Sequence, residues 1–370
     1  MQGELTIHRL LSKMRAVEAS DLHIKVGSPP VMRVAANLHA IECPPLTADE
    51  TSKLLLPIVP QRIMNQLDER GGVDFSHTDV GTRFRCSIFH ASGGLHAAIR
   101  RVNTSIPTFQ DLHLPPVYEH IAEHVHEGLV IICGVTGSGK SSTLASIIEH
   151  MNERHAFNII TIEDPIEYLF LPKKSYVSQR EVGMDVLDFF TALRGAVRQD
   201  PDVIMIGEMR DKETLLAGLM AAETGHLVFV TLHTADTMQS FARILEFFPV
   251  EEHGFVRSCL ANGLKAVLAQ RLLPAIKEGV RVVPATEVLL NTPIAAERIR
   301  DGRDEDMPAI IASSVHEGMH SFTQSLARLV SEGYVDQKVA ERYAPNVDAL
   351  RSRLRGIDVK ADSLISRTKH

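Results

Sequence analysis

The stretch LVIICGVTGSGKSSTLASIIEHM, residues 129–151, joins an apolar run, a glycine-rich loop and an amphipathic helix. Its loop fits the pattern G-x-x-x-x-G-K-[ST], and a strand before it with a helix after it is the context that the pattern requires. The glycines let backbone N–H groups turn toward a phosphate, the lysine reaches the β/γ oxygens, and the serine hydroxyl can bind Mg²⁺. The stretch therefore predicts a site for a magnesium nucleotide, formed by Gly134, Thr136, Gly137, Ser138, Gly139, Lys140, Ser141 and Ser142, with Ser141 on the metal.

Three further apolar runs follow the loop and predict an α/β fold. They are NIITI (158–162), VIMI (203–206) and LVFVTL (227–232). Continuous apolar runs separated by helical patterns, such as residues 212–223, are typical of strands buried on both faces of a parallel sheet. Right-handed βαβ connections are then expected.

Polar residues come directly after these runs, and ligands of open parallel sheets bind at the carboxyl ends of the strands. The resulting candidates are Glu163, Asp164 and Glu167 after NIITI, Glu208 after VIMI, and His233 after LVFVTL. Carboxylates beside a triphosphate repel it unless they hold Mg²⁺ or orient water, so we expect them to act on a metal–nucleotide complex. The strand that precedes Glu208 ends in glycine where an aspartate is usual, and we expect Glu208 to act on Mg²⁺ through water.

The whole chain divides into four regions. Residues 1–104 alternate helix-like and strand-like patterns and predict a small α+β domain, and residues 105–116 contain prolines that predict a linker. Residues 117–291 hold the nucleotide-binding pattern, and residues 292–370 predict a helical C-terminal region.

Composition excludes several classes of protein. A net charge of −7 carries no electrostatic footprint for nucleic acid. No segment approaches the roughly 20 apolar residues of a membrane span, which predicts a cytoplasmic location. The four cysteines are far apart and predict buried free thiols: Cys43, Cys86, Cys133 and Cys259.

Two patterns leave alternatives open. HIAEH, in the histidine-rich segment 113–126, matches a zinc-peptidase motif, but a solvated helix is the simpler interpretation. Arg194 and Arg198 are four residues apart, so one helix face could present both to a γ-phosphate or to solvent.

Several motifs, read together, resemble those of the type II/IV secretion ATPases, in particular the PilT/PilU branch of pilus retraction motors. They are ASDLHIKVGSPP (19–30), TIEDPIE, QREVG, GEMRDKET, AAETGH, TLHT and GMHSFTQSL (318–326). The resemblance implies a PAS-like N-terminal domain before a RecA-like ATPase domain, in a hexameric ring with ATP between the domains.

The resemblance also implies roles for individual residues. Glu167 would be the general base, Glu208 the Walker B glutamate, and His226 with His233 the pair that couples phosphate state to movement. Arg85 and Arg100 match arginines that the N-terminal domain contributes to a nucleotide site. Glu163 and Arg198 complete the set of residues predicted to bind the nucleotide. The expected cofactors are ATP and Mg²⁺.

The implied partners are an inner-membrane pilus platform protein and, as an option, a paralogous retraction ATPase, at a cytoplasmic site on the inner membrane. Ala296 stands where PilT proteins carry an arginine, which favours a PilU-like protein. Gly93 stands where PilT proteins carry another N-terminal arginine, which implies a smaller set of arginines acting in trans. The alternatives are an ATPase of a type IV secretion or DNA-uptake system and a nucleotide-dependent auxiliary subunit. The acidic charge balance disfavours a further class, a nucleic-acid motor, and no nucleic acid is expected as a partner.

Overall fold

The computed structural model describes residues 5–35, 37–102 and 105–356. The outer ends of the predicted first and last regions, 1–4, 103–104 and 357–370, lie outside the described residues. Two compact units are present. The first extends to Ser105 and also includes residues 165–170 and 183–185, and the second holds the remainder. A division into consecutive stretches of sequence does not capture these two short segments.

The first unit is an antiparallel sheet with helices, as its alternating patterns predict. Its described elements are α1 (Ile7–Ala16), β1 (Asp21–Ile24), β2 (Val31–Val34), β3 (Asn37–Ala40), α2 (Ala48–Leu55), α3 (Met64–Arg70), β4 (Gly72–Asp79), β5 (Thr82–Ala91) and β6 (Gly94–Arg101). The strand order is β3-β2-β1-β6-β5-β4. Two 3₁₀ turns, one containing Pro57 and one following Pro60, separate α2 from α3. Proline cannot continue a hydrogen-bonded helix, which accounts for the interruption.

Alternation along the strands gives this sheet one apolar face and one polar face. Phe84, Cys86 and Ile88 on β5 are fully buried, whereas Arg85 between them is exposed. Successive strand residues point to opposite faces, so Arg85 of β5 and Arg100 of β6 lie on the face away from the apolar core.

The second unit contains a seven-stranded sheet among its described residues, flanked by helices. Its elements are α4 (Pro116–His124), β7 (Gly128–Cys133), α5 (Lys140–Arg154), β8 (Asn158–Glu163), β9 (Tyr176–Glu181), α6 (Phe189–Ala196), β10 (Val203–Ile206), α7 (Lys212–Glu223), β11 (Leu227–Leu232), α8 (Thr237–Glu246), α9 (His253–Gly263), β12 (Leu264–Pro274), β13 (Val282–Leu290), α10 (Pro293–Asp301), α11 (Met307–Ser313), α12 (Phe322–Ser331), α13 (Gln337–Tyr343) and α14 (Val347–Leu354).

The strand order of this sheet is β13-β12-β7-β11-β10-β8-β9. Every pair from β12 to β9 is parallel, and only β13 runs antiparallel, beside β12. Each residue of β7, β10 and β11 is buried, as the continuous apolar runs predict. Two strands, β9 and β12, were not recognisable as apolar runs because polar side chains interrupt them. The helices α10–α14 form the C-terminal region.

Three of the four cysteines, Cys86, Cys133 and Cys259, are buried free thiols, as predicted, and Cys43 is half-buried. Within the described ranges, no helix is both long and apolar enough to cross a membrane.

Candidate functional site

The glycine-rich loop leaves the carboxyl end of β7 and enters α5 at Lys140. Gly137 and Gly139 have φ angles of +79° and +91°, a left-handed conformation that glycine adopts without a steric penalty. Gly134 is needed for a different reason: a Cβ atom there would lie 2.6 Å from the carbonyl oxygen of Gln270. These glycines leave the space and the turned backbone that a phosphate requires.

Positive charge lies at the same loop. The ammonium group of Lys140 donates to the carbonyl oxygens of Gly134 at 2.7 Å and Val135 at 3.3 Å. No side chain caps the start of α5, so its first N–H groups are available to an anion. Ser141 and Ser142 follow in the first turn and are half-buried. The loop thus offers a cation and backbone donors, the chemistry that binds phosphate.

Carboxylates lie at the carboxyl ends of the neighbouring strands, as predicted. Glu163 is buried at the end of β8, where it accepts hydrogen bonds from the Thr161 hydroxyl at 2.6 Å and the Gln179 amide at 3.1 Å. Gly207 follows β10, and its N–H donates to the Ile162 carbonyl at 2.8 Å. This contact draws the loop that carries Glu208 against the end of β8.

Glu208 belongs to a set of ion pairs that links three loops of the site. Its carboxylate contacts the guanidinium of Arg210 at 2.8 Å and the imidazole of His233 at 3.4 Å. Arg210 also reaches Asp164 at 3.3 Å. The hydrogen bond to Glu208 raises the pKa of Arg210 above its ordinary value. Sequence reasoning missed Arg210, although it stands only two residues after Glu208 in GEMRD.

The donor set suits a magnesium nucleotide. Ser141, Asp164, Glu163 and Glu208 offer hard oxygen ligands, which Mg²⁺ prefers. Across the described residues, no group of three or more His, Cys, Asp or Glu side chains could hold a metal ion. Mg²⁺ usually keeps several waters and binds through one or two protein groups and the phosphates.

His226 is not at this site. It immediately precedes β11, whereas His233 follows that strand. Six residues at about 3.3 Å each separate the two ends by roughly 20 Å, so His226 lies at the opposite edge of the sheet from the loop. Its imidazole contacts the Ala221 carbonyl at 3.0 Å. The structure therefore places His226 away from the nucleotide loop of its own chain, and its assignment to the nucleotide set stays a prediction.

Arg198 also differs from expectation. Helix α6 ends at Ala196, so Arg194 and Arg198 do not share a helix face. Arg194 instead lies over the ring of Phe190, 5.5 Å from its centroid.

The remaining predicted residues belong to the first unit. Glu167 lies in its 165–170 segment and is exposed. Arg85 and Arg100 face each other across β5 and β6, and Arg100 donates to Asp21 at 2.8 Å. Burial acts to raise the pKa of Asp21, but hydrogen bonds from Arg100 and Ser20 outweigh it and leave that pKa below its ordinary value. The structure thus groups both arginines on one face of that sheet.

The histidines and the glutamate of the zinc-peptidase pattern make separate contacts. His120 and His124 lie on the exposed side of α4, with ring centroids 4.7 Å apart. Glu123 instead accepts from His150 of α5 at 2.9 Å. The carboxylate that would act as base is thus engaged with another helix.

Gly93 lies in the turn between β5 and β6 with φ +79°, and Ala296 lies half-buried in α10.

Sequence and structure comparisons agree with this geometry. A family described as type II/IV secretion system protein matches residues 4–349. The chain belongs to this family. Type IV pilus ATPase PilU of Pseudomonas aeruginosa is 38% identical over 99% of this chain and 96% of its own length. Type IV pilus retractation ATPase PilT of the same organism is 38% identical over 92% of this chain and 98% of its own.

A crystal structure of the pilus retraction motor PilT with bound ADP has a TM-score of 0.85 and 39% identity, covering 94% of this chain and 99% of that one. The Legionella pneumophila ATPase DotB has a TM-score of 0.79 and 27% identity, covering 92% and 96%. The predicted fold class is confirmed: a RecA-like α/β ATPase domain, a smaller α+β domain before it and a helical C-terminal region.

Proposed function

We propose that this chain is an ATP-hydrolysing motor that powers type IV pilus retraction. The observation that carries the proposal is the glycine-rich loop at the end of β7, with Lys140 inside it and Glu208 at the end of a nearby strand of the same sheet. Its relatives of nearly equal length are named as a pilus ATPase and a pilus retraction ATPase.

Each residue has a chemical role in the proposed reaction. Lys140 and the first N–H groups of α5 bind phosphate oxygens. Magnesium, when bound, neutralises phosphate charge, and Ser141 and Glu208 are the residues that would hold it. Glu167 orients the attacking water and accepts its proton, and Arg85 with Arg100 stabilises charge that develops on the phosphoryl group.

His233 gives this site a means to sense the nucleotide. Its imidazole lies 3.4 Å from the Glu208 carboxylate, in the loop after β11. A change of charge beside Glu208 would alter this contact and move the loop. His233 therefore couples phosphate state to the start of α8, which follows the same loop.

The finer proposal concerns assembly and partners. The motor works as a homohexamer on the cytoplasmic side of the inner membrane and pushes against a pilus platform protein. Ala296 replaces an arginine of PilT proteins, which supports a PilU-like motor that works with a paralogous retraction ATPase.

ATP hydrolysis by the purified full chain tests the enzymatic part. We expect Mg²⁺-dependent turnover that Lys140→Ala abolishes. Lys174→Ala should leave turnover unchanged, because Lys174 is exposed and its ammonium group reaches only as far as the Arg154 carbonyl, at 3.4 Å. Equal activity in Lys140→Ala and the wild-type chain would contradict the assignment.

Pilus behaviour in cells tests the direction of the motor. Deleting the gene should leave persistent, unretracted fibres, and Lys140→Ala should fail to restore retraction. Bald cells would point to assembly instead. Normal pili with a loss of protein export would favour the second candidate, a secretion ATPase, which the family description also covers.

A further inference from the structure

Gln270 is a buried polar residue in the middle of the nucleotide-binding sheet. It lies on β12, between β7 and β13, and only 1% of its surface is exposed. Buried amides are costly unless their donors and acceptors are used. The hydrogen-bond partners of Gln270 therefore indicate its structural role.

Both ends of the Gln270 amide contact the nucleotide loop or its helix. Nε2 donates to the carbonyl oxygen of Ser138 at 2.7 Å, and Oε1 accepts from the hydroxyl of Thr143 at 3.0 Å. A carbonyl can only accept, so the NH₂ group must face Ser138 and the amide has one orientation. Thr143, on α5, satisfies the other end.

The Ser138 carbonyl belongs to the same peptide plane as the N–H of Gly139. In a trans peptide these two groups point in opposite directions. Holding the carbonyl on the strand side therefore aims the Gly139 N–H away from β12. Gly139 has φ +91°, and glycine at such an angle has wide rotational freedom that something else must restrict.

Close packing shows that the strand and the loop fit together at two points. A Cβ atom on Gly139 would lie 3.1 Å from Gln270 Nε2, and one on Gly134 would lie 2.6 Å from the Gln270 carbonyl oxygen. Ser138 itself is 2% exposed. The strand β12 thus lies directly against the loop at both Gly134 and Gly139.

We propose that Gln270 is a positioning residue that fixes the Ser138–Gly139 peptide so that the Gly139 N–H donates to the nucleotide's phosphate. This inference rests on the proposed function, because it assumes that the loop binds a nucleotide. It assigns a role to β12, a strand outside the family motifs.

Binding of MgADP to the full chain, measured by calorimetry, tests the inference. Gln270→Met keeps the length of the side chain and removes both hydrogen bonds, and we expect affinity to fall about tenfold, the effect of one lost hydrogen bond to a bound ligand's site. Gln270→Glu keeps the acceptor for Thr143 but sets a carboxylate oxygen against the Ser138 carbonyl. Its affinity should fall further.

A matched control separates positioning from stability. Thr286 on β13 is fully buried, and its hydroxyl contacts His320 at 2.7 Å rather than the loop. Thr286→Val should lower the melting temperature without changing MgADP affinity. Thr143→Val removes the hydrogen bond that the Gln270 amide accepts from α5. We expect MgADP affinity to fall a few-fold, and this variant keeps the test available if Gln270→Met fails to fold.

The outcomes are distinct. Wild-type affinity for MgADP in Gln270→Glu and Thr143→Val would overturn the inference while the proposed function stands. The same holds if Thr286→Val loses as much affinity as Gln270→Met. If the wild-type chain itself does not bind MgADP, the proposed function is wrong and the inference falls with it.

Discussion

Acid should loosen the contact between β13 and the segment before α12, because that contact depends on a neutral histidine. The ring of His320 lies 2.7 Å from the Thr286 hydroxyl, and its backbone exchanges hydrogen bonds with Val288. Burial, followed by the nearby charge of Arg328, lowers the pKa of His320 from 6.5 to about 4, although a hydrogen bond with the Gly318 backbone acts in the opposite direction.

The sign of the effect follows from proton uptake. Between pH 6.5 and pH 4 an opened state, in which His320 meets water, binds a proton that the closed state does not bind. Stability of the closed state is therefore complete above pH 6.5 and is lost as the pH falls toward 4. At pH 5 the loss is about 2 kcal/mol, and it approaches about 3 kcal/mol near pH 4, at 1.36 kcal/mol per pKa unit.

Hydrogen exchange at the Val288 amide measures this opening, since its N–H donates to the His320 carbonyl at 2.8 Å. After correction for the intrinsic exchange rate, protection should fall by about 2 kcal/mol between pH 7.5 and pH 5. His320→Gln should remove most of that difference. His316→Gln should not, because the His316 side chain is 78% exposed. Equal pH dependence in wild type and His320→Gln would refute the reasoning.

Two other substitutions test the packing of the nucleotide-binding unit. Gly134→Ala places a Cβ atom 2.6 Å from the Gln270 carbonyl oxygen, so we expect a large loss of melting temperature and of MgADP binding, measured by thermal unfolding and calorimetry. Asp304→Asn weakens a two-pronged ion pair in which Arg257 donates at 2.8 and 2.7 Å, with side chains only 16% and 20% exposed. We expect a cost of about 2 kcal/mol in unfolding free energy, measured with urea, as for breaking a partly buried pair.

The controls for these two substitutions come from the same unit. Gly137→Ala meets nothing within 4 Å and carries only the backbone penalty of about 1–2 kcal/mol for a left-handed residue. If it costs more than Gly134→Ala, the close approach of β12 is not the limiting contact. Glu246→Gln breaks an exposed pair with Arg243 and should cost under about 1 kcal/mol. If Asp304→Asn costs no more than Glu246→Gln, burial does not strengthen the Arg257–Asp304 pair.

Local patterns predicted the centre of the nucleotide-binding unit well. The apolar runs that became β7, β8, β10 and β11 are buried on both faces, and such strands carry an uninterrupted signal. Polar residues after them could be assigned to the site because parallel strands end at one edge. The placement of Glu163, Glu208 and His233 followed from that rule alone.

The failures have an equally specific cause. β12 contains Gln270 and Arg271, which interrupt its apolar pattern, yet both side chains are satisfied by residues far away in sequence. Gln270 contacts the loop, and Arg271 donates to the Tyr343 carbonyl at 2.8 Å. His226 was assigned from its motif alone, and the structure shows it at the other end of β11 from His233, so its role stays a prediction.

The two units are not consecutive stretches of the chain, and this determines how the protein can be dissected. Residues 165–170 and 183–185 complete the first unit, although they are encoded well beyond its last strand. A fragment that stops at residue 105 would be made without part of its own fold, and one that starts at 106 would carry two orphan segments. Truncated genes are therefore poor tools for separating the activities of this protein, and point substitutions in the intact chain are the informative alternative.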